Sequence, residues 1–121
     1  METPQIKAPD IKDWHAHVYF DAATRDKAWA LRERIEKSFQ INMGRFHERP
    51  VGPHPMFSYQ VHFTNEQFAS LIPWLTLNHD GLIVFIHPNT GQDLEDHRDR
   101  AVWIGKSQPL VLSIFTDPKK D

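Results

Sequence analysis

The segment Trp14-His-Ala-His-Val-Tyr-Phe20 alternates without a break. Successive side chains of a strand point to opposite faces. Ala16, Val18 and Phe20 therefore share one face, and His15, His17 and Tyr19 share the other. A chain built on this strand must cover an oily surface on one side and carries imidazoles on the other. Met56 to Phe63 repeats the pattern, with Phe57, Tyr59, Val61 and Phe63 opposed to Ser58, Gln60 and His62.

After each of these strands the period becomes helical. Asp21-Ala-Ala-Thr24 offers capping residues, and Ala28, Leu31, Ile35 and Phe39 recur at helical spacing over Arg25 to Phe39. Arg32, Glu33, Arg34, Glu36 and Lys37 fall between them and charge the opposite side. Thr64-Asn65-Glu66 caps a second helix to about Leu77, with Phe68, Leu71, Ile72 and Leu75 on its buried side. Pro73 predicts a bend or broken turn in it, and Asn78-His-Asp-Gly81 closes it. Met43 to Glu48 reads as a short second strand, and Leu82 to His87 as the fourth. A polar stretch from Asn89 to Arg100 holds a turn of helix, before Ala101-Val-Trp-Ile104 and a last strand, Leu110 to Phe115.

The order β-α-β-β-α-β predicts a ferredoxin-like α+β sandwich. Its antiparallel sheet takes the strand order 4-1-3-2, with two helices on one face and an extra C-terminal strand. The other face is open unless a partner or the C-terminal segment covers it. The 121 residues fit a single domain, 1–121, with flexible ends expected at 1–11 and 117–121. The N-terminus, Met1 to Lys12, is polar with no apolar signal-peptide stretch, and no apolar run approaches the roughly 20 residues of a membrane helix. A cytoplasmic protein is the expectation.

Composition narrows the chemistry. With 14 Lys+Arg against 16 Asp+Glu there is no basic stripe, so nucleic acid is not an expected partner. No cysteine is present, which excludes disulfides, thiolate metal sites and thiol nucleophiles. Eight histidines remain. In the expected topology His15 and His17 begin a strand flanked by the ends of strands carrying His62 and His87. Opposed residues on neighbouring strands lie about 5 Å apart at Cβ, within reach of one metal ion. Imidazole is a common ligand for Fe, Zn, Cu and Ni. No Asp or Glu is expected on that face. His79 falls in the turn closing the second helix and stands apart.

Two further constellations accompany the strands. Gly44-Arg-Phe-His-Glu-Arg-Pro-Val-Gly-Pro-His-Pro55 places His47, Glu48 and His54 around a proline-stiffened loop able to hold side chains over the sheet. His87-Pro-Asn-Thr-Gly91, with Asp93, Asp96, His97 and Arg98, continues from the fourth strand, and reads otherwise as a solvated acidic loop.

These runs, together with Pro73-Trp-Leu75, resemble the DOPA 4,5-dioxygenase family of fungi and bacteria, from about Ile11 to Phe115. The resemblance implies extradiol ring opening of a catechol such as L-DOPA by O2, with non-haem Fe(II); Zn is the expected substitute in a crystal. His15, His17, His47, His54, His87 and His97 match the family's histidines, and His62 departs from its pattern.

On this reading His15, His17 and His87 are the metal-ligand pool, with Glu48 as the carboxylate alternative to an all-histidine site. His47 or His54 takes a catechol proton and returns it later. Arg45 or Arg49 pairs with the substrate carboxylate, and Tyr19 with Phe85 packs against the ring. Asn89 and His97 complete the substrate-binding set. The rival from another class is a non-catalytic metal- or ligand-binding module using the same cluster. A third possibility makes the open sheet face a dimer interface, and a homodimer is expected in any case.

Overall fold

The computed structural model describes residues 4–7 and 10–116, so the expected flexible tail 117–121 lies outside the described residues. Five strands form one antiparallel sheet: β1 (Asp13–Phe20), β2 (Asn42–Met43), β3 (Phe57–Phe63), β4 (Ile83–Asn89) and β5 (Val102–Ile104), in the order β2-β3-β1-β4-β5. Helices α1 (Arg25–Ser38) and α2 (Asn65–Asn78) cover one face, and the fold is the ferredoxin-like α+β sandwich. Ala16, Val18, Phe20, Tyr59, Val61, Phe63, Val84 and Ile86 meet Ala28, Leu31, Ile35, Leu71 and Leu75 in one buried cluster. Each such Leu or Ile contributes about 2 kcal/mol by leaving water.

Local chemistry sets the helix starts. Thr64 accepts from the Gln67 amide at 3.3 Å while the Gln67 side chain accepts from the Thr64 amide at 2.9 Å, a reciprocal capping box. Asp21 and Thr24 exchange backbone–side-chain bonds in the turn before α1. Helix α2 runs unbroken through Pro73. It stops where Asp80 and Gly81 both take positive φ, at 55° and 75°.

Two expectations are corrected at the sheet edges. The second strand ends at Met43; beyond it the Gly44 amide still donates to the Gln60 carbonyl of β3 at 2.7 Å, and the chain returns to β3 at the His47–Ser58 bridge. Between the two contacts Phe46 stacks on Phe20 at 4.5 Å, so packing overrides the ladder. Leu110 to Phe115 is not a strand. Val111 donates its amide to the Pro53 carbonyl at 2.8 Å, and Leu112–Phe115 coil into a 3-10 turn. The extra C-terminal strand is β5, which pairs with β4.

The second sheet face is covered by the chain itself. A short helix, α3 (Asp93–Arg98), brings the His97 ring to 4.0 Å from His87, and Phe115 packs on His97 at 4.4 Å. Trp103 stacks on Phe85 at 4.7 Å. With the proline loop tied to Val111, this leaves Tyr19, Phe85 and His87 at no more than 1% exposure. The chain itself thus buries this part of the face, while Asp13 and His62 at its rim stay about a third exposed. No described helix is long and apolar enough to cross a membrane.

Candidate functional site

His15 is the centre of a row of three imidazoles. The antiparallel register sets it opposite His62 on β3 and His87 on β4, with ring centroids 5.5 and 5.1 Å away. His17, two residues along β1, is diagonal to His87, and their Nε2 atoms approach to 3.1 Å. One nitrogen each from His15, His17 and His87 lies within 4.8 Å of the others. His87 Nδ1 donates to the Pro88 carbonyl at 2.9 Å, which fixes the ring and leaves Nε2 as the lone-pair nitrogen. His97 Nδ1 is held in the same way by the Asp93 carbonyl at 2.7 Å.

Burial keeps these rings neutral. It drives His17 well below the ordinary imidazole value, and the positive form is disfavoured further by His54, His87 and His15 around it. Burial, then the neighbouring His97, take His87 down to about 3 and His54 to about 4. His15 and His97 are lowered for the same first reason. Neutral imidazole is the form that ligates a metal.

Between the sheet and the proline loop lies a cavity of about 190 Å³ lined by His17, His47, His54, Ser58 and Gln60 together with Val51, Gly52 and Pro53. His54 Nδ1 and the Tyr19 hydroxyl share a 2.7 Å hydrogen bond, and the His54 ring sits 4.1 Å from His17. Tyr19 thus lies behind His54 rather than against the cavity, and burial raises its hydroxyl far above the usual phenol range. A larger cavity of about 500 Å³ lies on the other side of His62, but His62 is its only imidazole. Density of imidazoles, not volume, marks the site.

Not every residue singled out in the sequence converges there. Glu48 is held by Arg25 at 2.8 Å beside the first turn of α1, and the structure does not bring it to the imidazoles. Arg45 and Arg49 are exposed on the loop and neither lines the cavity. Asn89 donates to Asp13 Oδ1 at 2.7 Å. His79 Nδ1 bonds the Leu82 carbonyl in its turn, away from the cluster.

A carboxylate does stand on this face, against expectation. Asp13 begins β1 one residue before Trp14 and shares the parity of His15 and His17; its Oδ2 lies 2.7 Å from His62 Nε2. Burial alone favours the protonated acid, but hydrogen bonds from His62 and Asn89 outweigh it and hold the carboxyl below its usual value. Parity was the available signal. Asp96 also proves buried, at 1% exposure, accepting from the Thr90 amide at 2.8 Å and from Arg100 at 2.9 Å. It fastens α3, and with it His97, to the end of β4.

Fold and site together define a class: an α+β sandwich whose second sheet face is lined by imidazoles and roofed by loops. The model of the Dopa 4,5-dioxygenase family matches residues 14–114, and the chain belongs to that family. It is 37% identical over 113 residues to DOPA 4,5-dioxygenase of Amanita muscaria, covering 86% of this chain and 50% of that protein. A 21.2 kDa protein of Botryotinia fuckeliana is 40% identical over 110 residues, covering 81% of this chain and 60% of its own length. The chain thus spans 50–60% of these curated relatives. A crystal structure of a candidate dioxygenase from Nostoc punctiforme superposes with a TM-score of 0.91 at 40% identity, covering 93% of this chain and 97% of that one.

Proposed function

We propose that this chain is a metal-dependent dioxygenase domain that opens the ring of a catechol such as L-DOPA with O2. The observation that carries this reading is the trio His15, His17 and His87 beside a cavity walled by His17, His47 and His54. The donor set fits a divalent ion. His15, His17 and His87 each offer a nitrogen within 4.8 Å of the others, with the Nε2 atoms of His17 and His87 3.1 Å apart, and such a trio would hold an ion through neutral imidazoles.

Iron(II), when bound, supplies Lewis acidity toward the catechol oxygens and the electrons that activate O2. The chain's own groups do the rest. The cavity takes the ring, with Phe85 in the stack beneath His17 at 5.7 Å. His54, neutral and fixed through Nδ1 by Tyr19, accepts a catechol proton at Nε2, and His47 is the second imidazole on the same wall. The proline loop and the C-terminal turn exclude bulk water.

The test loads metal-free protein with iron(II) anaerobically, adds L-DOPA and then O2. Oxygen uptake with a yellow ring-opened product is expected. Bound iron without oxygen uptake overturns the enzyme in favour of a binding module.

A further inference from the structure

We propose that Asp13, His15 and His62 form an outer divalent-cation site that receives the ion from water and hands it, through the shared His15, to the buried set His15, His17 and His87. This rests on the metal-centre reading above.

The buried set has a loading problem. His17 and His87 are 5% and 1% exposed, and a hydrated divalent ion does not reach such nitrogens without shedding water on the way. Asp13 and His62 stand at the rim of the same row, with side chains 31% and 33% exposed. Their ligand atoms and one from His15 lie within 4.8 Å of each other. Two imidazoles and one carboxylate are a set that binds iron(II) and its neighbours in the first transition row.

Three features suit this trio to capture. Asp13 brings a negative charge to the rim of the row. Asn89 holds Oδ1 at 2.7 Å, which aims Oδ2 at His62. His62 is also a wall of the 500 Å³ cavity, whose other polar walls are Gln40, Asn42, Thr64 and Gln67. A hydrated ion approaches along these amides and hydroxyl. The nearby Asp96 does not compete, because Arg100 and Thr90 occupy its oxygens.

Transfer is ligand exchange with no change of oxidation state. The Asp13–His62 hydrogen bond opens to admit the ion, and the ring proton of His62 moves from Nε2 to Nδ1 by exchange with water, which frees Nε2 as a ligand. His15 stays bound while His17 and His87 replace His62 and Asp13, and the hydrogen bond re-forms as the ring proton of His62 returns to Nε2.

Cobalt(II) uptake by the metal-free full chain, followed by stopped-flow absorbance with elemental analysis of the end point, tests this. Wild type, Asp13→Asn and His62→Gln are all expected to finish with one ion per chain. The variants fill more slowly, by about tenfold for Asp13→Asn, and release cobalt to a chelator more slowly by a similar factor. Unchanged rates overturn the relay. Two ions in wild type overturn it in favour of two resident sites, and a lost ion in Asp13→Asn overturns it by making Asp13 a resident ligand. If Asp13→Asn misfolds, His62→Gln alone decides. A single ion that His17→Ala abolishes upholds the buried set whatever the rates show; no ion in wild type removes both readings.

Discussion

His17 and His87 meet through Nε2 atoms 3.1 Å apart, although the register pairs His17 with Phe85 and His87 with His15. The contact is diagonal across the β1–β4 ladder, where long side chains on one face still reach each other. Both rings are buried, so the pair is a fixed geometric element of the site.

Replacing His17 by Ala removes one of three nitrogens from that element. Metal affinity is expected to fall by more than about 100-fold, since even an outlying partner of a ligand is worth 10- to 100-fold. Elemental analysis after gel filtration checks this, and undiminished ion content takes His17 out of the ligand set.

Tyr19→Phe removes the 2.7 Å bond to His54 and leaves the tilted and edge-on ring contacts with Phe85 and Trp103 in place. The turnover number for catechol opening is expected to drop about tenfold with KM little changed. Stability falls by about 1 kcal/mol. A pure KM effect contradicts a role in positioning His54.

Asp96→Ala strands the Thr90 amide and frees Arg100 from its buried partner. Loss of about 3 kcal/mol is expected in chemical denaturation, together with faster hydrogen exchange in α3. A loss below about 0.5 kcal/mol shows that Asp96 is a surface residue in energetic terms.

Metal-free protein is expected to weaken in acid. His17, His54 and His87 have folded-state values below the 6.5 of an unburied imidazole, with His54 at about 4 and His87 at about 3. Above pH 6.5 both folded and unfolded chains are neutral there, and nothing is lost. As pH falls below it, the unfolded chain binds protons that the folded chain refuses, so stability declines toward pH 4. By pH 5 the decline is on the order of 2 kcal/mol for each of His54 and His87. Thermal melts of chelator-treated protein at pH 7 and 5 measure it; equal melting temperatures refute it.

Much of the site was legible in the period of two. The parity of His15, His17, His62 and His87 assigns them to one face by local pattern alone, and the helical spacing of Leu31, Ile35, Leu71 and Leu75 says which face the helices take. Asp13 obeys the same parity but lies just outside the strand as read from Trp14. Asp96 could not be read, because a buried Asp and a solvated one look alike in a polar run until Arg100 and Thr90 are seen to surround it.

By itself the sequence determined β1, β3 and β4, the two long helices and the two faces, because strand and helix periods are local and repeat along the chain. Tertiary structure alone decided what closes the second face. The Val111–Pro53 hydrogen bond, the packing of Phe115 on His97 and the seating of His54 on Tyr19 join segments distant in the chain. No local period encodes such contacts. They buried His17, His54 and His87 on a face the strands alone leave open, and made of Leu110–Phe115 a turn that helps to roof it.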